Sequence, residues 1–231
     1  MTFNAEYKKL VSLILLEGDW ILGRNGVTMQ IPSYSFTVPD MKEHHKLTIR
    51  KMFYGGVLGE FKTLIDPYPL TNVKKFENNG CNYWKEWAGP HGELNLDYAN
   101  MLHPQLEDVI EQIKNNPSSR RHRIELWNHN NLKELSLPCC WHGLTFTVQE
   151  STLHLTWIQR SVDTAVGLPS DVYLAYLFME HIAGLTGLEI GSCMFALSNV
   201  HIYEEHIPGL QKLLATIEED YGKLIQFKLK A

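Results

Sequence analysis

Between Thr156 and His206 the chain reads TWIQRSVDTAVGLPSDVYLAYLFMEHIAGLTGLEIGSCMFALSNVHIYEEH, and this stretch limits the fold more than any other. Leu155, Trp157 and Ile158 are the apolar residues of a buried strand, and Gln159, Arg160, Ser161 and Asp163 follow where a core strand should end. Polar groups in that place need a polar ligand or a network to satisfy them. Gly167-Leu168-Pro169 reads as a turn, Ser170 or Asp171 as a helix cap, and Leu174, Leu177, Phe178, Ile182 and Leu185 recur at the spacing of a core helix. His201 and Tyr203, two apart, share one face of a further strand.

Composition narrows the partner. With 44% hydrophobic and 20% charged residues and no Gly/Ser-rich linker, low-complexity tract or repeat, residues 1–231 read as one globular domain. The N-terminal MTFNAEYKKL is neither a signal peptide nor a membrane segment, so a cytoplasmic protein is expected, with no membrane partner. Cys81, Cys139, Cys140 and Cys193 form no CxxC pair, which favours neither a disulfide framework nor a metal site and leaves free thiols. A net charge of −5 argues against nucleic-acid binding, while a local arginine cluster remains able to hold one phosphate. A small-molecule partner is the expectation.

Along the rest of the chain, residues 6–17 suggest an amphipathic helix and Arg24-Asn25-Gly26-Val27 a turn. Residues 46–65 read as helical, with Gly55, Gly56 and Gly59 interrupting, and set Glu60 among Leu58, Phe61, Leu64 and Ile65. Glu60 is either a carboxylate at the edge of that helix or a partly buried proton carrier. Residues 66–80 form an irregular connection to Tyr83-Trp84-Lys85-Glu86-Trp87, and an amphipathic helix carrying Leu106, Val109, Ile110 and Ile113 is expected after Pro104. Arg120 and Arg121 precede an apparent strand at Ile124, Leu126 and Trp127, and Leu137-Pro138-Cys139-Cys140-Trp141-His142 precedes another at 144–148. By residue type alone, a cysteine there is a small buried apolar residue as readily as a nucleophile.

The order QRSVD, GLPSD, a long apolar helix, TGLEIG and SNVHIYEEH, supported by YWKEWA, LNLDYAN, SRR and LPCC, resembles the thymidylate synthases over roughly residues 20–207. It also resembles their relatives, the bacteriophage deoxycytidylate hydroxymethylases. The resemblance implies an α+β fold with a large twisted mixed sheet, packed helices and a homodimer formed through the sheet. It implies Cys140 as nucleophile at C6 of a pyrimidine, with Glu60 moving protons through water. Arg24, Arg160 and Ser161, joined by Arg120 and Arg121 from the partner subunit, would hold the nucleotide phosphate; two parallel hydrogen bonds from each guanidinium suit that role. Gln159, Asp163, Asp171, His201 and Tyr203 would hold base and sugar. Trp84, Trp87, Tyr98, Leu137 and Gly167 would line the site of 5,10-methylenetetrahydrofolate, since aromatic faces suit a flat pterin. Arg160 is expected to depress the thiol pKa of Cys140.

Two departures bear on substrate and product. Asp171 stands where thymidylate synthases place asparagine, as it does in the phage hydroxymethylases, and a protonated aspartic acid matches the acceptor N3 and amino donor of cytosine. Trp141 stands where those synthases have histidine after the cysteine, and Cys139 where they have proline. Only 25 residues follow His206, a shorter tail than is typical of the synthases, which points to hydroxymethylation of dCMP; Trp84 and Leu137 match the apolar shield of the methylating enzymes and point to methylation of dCMP or dUMP. No motif reads deoxyribose against ribose. Two other classes stay open: a non-catalytic nucleotide-binding relative, and a cysteine hydrolase using Cys140 and His142, which would leave QRSVD unexplained.

Overall fold

The computed structural model describes residues 2–217. Its framework is a seven-stranded mixed sheet made of β1 (Asp19–Gly23), β2 (Gly26–Val38), β3 (Arg123–Glu125), β4 (Trp141–Gln149), β5 (Thr152–Gln159), β6 (Val162–Asp163) and β7 (Glu189–Tyr203). The spatial order is β1-β2-β7-β5-β4-β3, with β6 paired to β7. β7 runs antiparallel to β2 but parallel to β5 and β6, because the helix Gly167–Thr186 crosses between β6 and β7. The α+β class and large mixed sheet expected from the sequence are present.

Strand alternation fixes which face is core. Leu153, Leu155, Trp157 and Gln159 of β5 are buried beside Cys193, Phe195 and Leu197 of β7. Phe36 stacks on Phe195 at 4.9 Å and on Phe3 at 6.1 Å, which ties α1 (Phe3–Glu17) to β2. Thr2 caps α1 by accepting from the Ala5 amide. The opposite face, carrying Ser35, Thr37, Thr145, Thr156, Met194 and Ala196, is not buried.

The other helices are α2 (Met41–His44), α3 (Tyr54–Leu64), α4 (Lys74–Asn78), α5 (Asp97–Asn115), α6 (Gly167–Thr186) and α7 (Ile207–Ile217). α6 is the central one: it touches α3, α5, β5 and β7, with Leu174, Leu177, Phe178 and Ile182 buried. Gly187, at φ 72°, ends it in the left-handed conformation that glycine adopts without strain.

Several sequence expectations are corrected. Helix α3 covers only Tyr54–Leu64; residues 46–53 are not helical, and Thr48 instead bonds Asn4 through both backbone and side chain. Helix α5 starts at Asp97 and keeps Pro104 inside, because buried Tyr98, Ala99 and Leu102 hold the turns before it. Gly167-Leu168-Pro169 is the first turn of α6 rather than a separate turn, a place where proline lacks no needed bond. Neither Ser170 nor Asp171 caps α6; Asp163 Oδ1 accepts from the amides of Ala165 and Val166 just ahead of it. Leu185, expected on the core face, is 49% exposed. Of the 25 residues after His206 that form the short tail, 218–231 lie outside the described residues.

Candidate active site

The ends of β4 and β5, the first turns of α6, and α3 with the 3-10 turn Tyr83–Trp87 enclose one cleft of about 230 Å³. It brings together Cys140, Glu60 and Asp171, with Gln159, Ser161 and Asp163 beside them. Trp84, Trp87, Tyr98, Leu137 and Gly167 also line it, so all five residues expected around a pterin share this cavity. An adjoining hollow of about 250 Å³ shares Ser161 and is lined by Arg24, His201 and Tyr203. A larger hollow of 470 Å³ beside α7, bordered by Arg50, Val166, Leu210 and Leu213, contains none of the expected site residues.

Each functional side chain is held by a local cause. Asp171 lies in α6 past the cap and turns inward, where Gln159 Nε2 donates to its Oδ2 at 2.8 Å. Gln159 also donates to Ser161 O and accepts from Trp157 Nε1 at 3.0 Å, so its amide orientation is fixed by three partners. Burial pushes the Asp171 carboxyl up to about 8 despite that bond, with the nearby Glu60 and Asp163 charges adding to the rise. Glu60 is 8% exposed, and burial likewise raises its pKa, offset in part by donors at both oxygens. Trp84 Nε1 donates to Oε1 at 3.0 Å and Tyr83 Oη to Oε2 at 2.5 Å.

Cys140 ends the loop before β4, and the Arg160 amide donates to its carbonyl at 2.9 Å. The Arg160 guanidinium grips the same loop, Nε donating to Cys139 O at 2.8 Å and Nη2 to Pro138 O at 2.9 Å, over the Trp127 ring at 5.4 Å. The expectation that Arg160 leaves the thiol more acidic than usual is corrected: burial dominates, Asp171 adds to it, and the Cys140 pKa is raised although Arg160 pulls it down. Cys139 points elsewhere, its thiol buried against Leu126 O and pushed up to about 12 by burial.

In the second hollow His201 Nδ1 lies 2.8 Å from Asn199 O, and the Tyr203 ring meets His201 edge-on at 5.2 Å. Asn199, at φ 47°, donates to Arg160 O and accepts from Gln30. Arg24 is exposed on the β1–β2 turn, held by Asn25. Arg120 and Arg121 are exposed and line neither hollow, so one chain alone does not bring them to the cleft.

The sequence assigns no role to Tyr83 and marks Trp141 only as a departure beside Cys140, yet both line the cleft. Trp141 lines the cleft and packs on Trp157 at 4.9 Å, edge-on to Tyr98 at 6.5 Å; the alternation of β4 with its neighbours carried that signal. Tyr83 was read only as part of an aromatic run, because its partner lies 23 residues away.

A half-buried thiol and a carboxyl whose pKa is raised share one cleft, under an aromatic wall and beside a polar hollow, an arrangement whose shape and polarity suit a flat hydrogen-bonding ring with a polar tail. The chain matches the thymidylate synthase family model over residues 5–230 and belongs to that family. The family implies folate-dependent transfer of a one-carbon unit to C5 of a pyrimidine nucleotide.

Proposed function

We propose that the chain hydroxymethylates dCMP at C5, with Cys140 bonded to C6 during the reaction and methylenetetrahydrofolate as donor. The observation that carries the choice of base is Asp171, half-buried in the cleft with its carboxyl pKa raised to about 8, which favours the protonated form at neutral pH. Its O–H donates to cytosine N3 and its carbonyl accepts from the 4-amino group; uracil presents a donor at N3 and is left wrongly paired. Gln159, donating to Oδ2, fixes the orientation of that carboxyl in the cleft.

The chemistry assigned to the chain is addition and elimination. The Cys140 thiolate adds to C6, the electron pair moves to C5, and C5 becomes nucleophilic. Glu60, whose pKa burial raises, accepts the C5 proton through water. With the one-carbon unit bonded to C5 and tetrahydrofolate released from it, water adds to that carbon as the C6–S bond breaks, which restores the aromatic base, leaves a 5-hydroxymethyl group and frees the Cys140 thiolate. The aromatic wall of Trp84, Trp87 and Tyr98, with Leu137, suits a pterin, and the folate supplies the one-carbon unit when bound. Arg24, Arg160, Ser161, His201 and Tyr203 are assigned to phosphate and sugar, with Arg120 and Arg121 contributed by a second copy.

Methylation is the second reading, and Trp84 and Leu137 favour it because both present apolar surface where water would otherwise enter. One assay separates the readings. Incubation with dCMP or dUMP and methylenetetrahydrofolate should give turnover with dCMP, a hydroxymethylated product, and no rise in near-ultraviolet absorbance from dihydrofolate. Stoichiometric dihydrofolate with a methylated base establishes methylation instead, a preference for dUMP removes Asp171 from the proposed role, and binding without turnover establishes a non-catalytic relative.

A further inference from the structure

We infer that Tyr83 is a positioning residue for Glu60: its hydroxyl fixes the carboxylate toward the cleft and sets the pH at which that carboxylate can accept a proton. The inference rests on the proposed role of Glu60 and adds a residue that role did not include. Its basis is geometric. Tyr83 Oη donates to Glu60 Oε2 at 2.5 Å and Trp84 Nε1 to Oε1 at 3.0 Å, so neighbouring residues of one 3-10 turn engage both oxygens. Held at both ends, the carboxylate cannot rotate without breaking a bond.

The charge environment explains why this donor matters. Among the described residues, the titratable groups whose charge couples to that of Glu60 are Tyr83 and Cys81 on the same turn and the residues leading into it, Tyr98 on α5 and Asp171 on α6. None of them is a cation. Neutral donors must therefore offset the cost of burying a negative charge, and Trp84 and Tyr83 are the two that do so. Burial and the adjacent carboxylate push the Tyr83 phenol far above its ordinary value, so it remains an O–H donor at any working pH. Tyr83 as a whole is 43% exposed while Glu60 is 8% exposed. Its ring thus reaches the surface while its hydroxyl reaches the carboxylate, a geometry that core packing does not require.

Removing the hydroxyl should leave the ring in place and raise the proton affinity of Glu60. The step in which Glu60 accepts the C5 proton needs the ionised form, so its rate falls as pH drops through the Glu60 pKa; a higher pKa moves that acid limb to higher pH. The test follows tritium release from C5-labelled dCMP during turnover, across the acid and neutral range, for the wild type, Tyr83→Phe and Glu60→Gln. Tyr83→Phe should shift the acid limb upward by about one pH unit, the scale of one hydrogen bond to a charged group. Its dCMP dissociation constant and the pH dependence of Cys140 alkylation by iodoacetamide should match the wild type, which separates Glu60 from the thiol. Trp84→Phe, which removes the other donor, should shift the limb in the same direction. An acid limb for Tyr83→Phe that superimposes on the wild type overturns the inference, as does a loss of dCMP binding, which marks a structural role. Tritium release by Glu60→Gln at the wild-type rate instead overturns the proposed role of Glu60 itself.

Discussion

Burial outweighs the bond from Gln159 and raises the Asp171 carboxyl to about 8, which favours the protonated form that would pair with cytosine N3. The sign of the pH dependence follows. With the folded value raised to about 8, dCMP turnover should show an alkaline limb, falling as pH rises through that value, and Asp171→Asn should abolish this limb in a kcat/KM profile. The same variant should move preference toward dUMP by tenfold to a hundredfold, since each wrongly paired buried polar group costs about 1–3 kcal/mol. Folding is linked to the same proton. The stabilising contribution is present below the ordinary value of 3.8 and lost as pH rises through about 8, so melting temperature should depend less on pH in Asp171→Asn than in the wild type. The two adjacent thiols make a second contrast: Cys140→Ser should abolish turnover yet retain nucleotide binding, and Cys139→Ser, altering a thiol turned to Leu126 O, should be much milder. Wild-type turnover in both variants would end the covalent mechanism. That Asp171 and Cys140 share one cleft was legible in the sequence because both sit inside recognisable motifs. The net rise of the Cys140 pKa was not, since the depth of a thiol beside an arginine depends on packing by distant elements.

At the scale of elements, α3 owes its position to Gly59. A Cβ there would lie 2.2 Å from the carbonyl oxygen of Asn79, so only glycine lets the helix approach the segment leading from α4 into the 3-10 turn. Glu60 is the next residue, and the turn carries both of its donors. Gly59→Ala should therefore destabilise the fold by about 1–3 kcal/mol and lower turnover more than it weakens dCMP binding, checked by denaturation and by the kcat and KM split. Normal stability with normal kcat would show that the two segments separate without consequence. The sequence pattern marked Gly59 only as an interruption, because periodicity reports which face is apolar and says nothing of what approaches it. Helix ends were misread for the same reason: the buried Tyr98 and Leu102 hold α5 together ahead of Pro104, and Asn4 claims Thr48 from 44 residues away. The central β5–α6–β7 segment was legible because strand and helix periods there agree with burial.

At the scale of the whole molecule, the sheet buries one face and leaves the other, with Ser35, Thr37, Thr156 and Ala196, unburied in the single chain. In the proposed assembly that face meets a second copy, and Arg120 and Arg121 reach across it. An Arg121→Ala chain and a Cys140→Ser chain, each inactive alone, should regain activity on mixing, because one of the two sites then has every part intact. Demonstrated subunit exchange without recovery would show that each site is self-sufficient. The exposure of Arg120 and Arg121 away from their own cleft then has a kinetic meaning. A catalyst assembled from two half-sites obeys mass action, so its specific activity should decline on serial dilution and return when the solution is reconcentrated, a dependence that a self-contained monomer would not display.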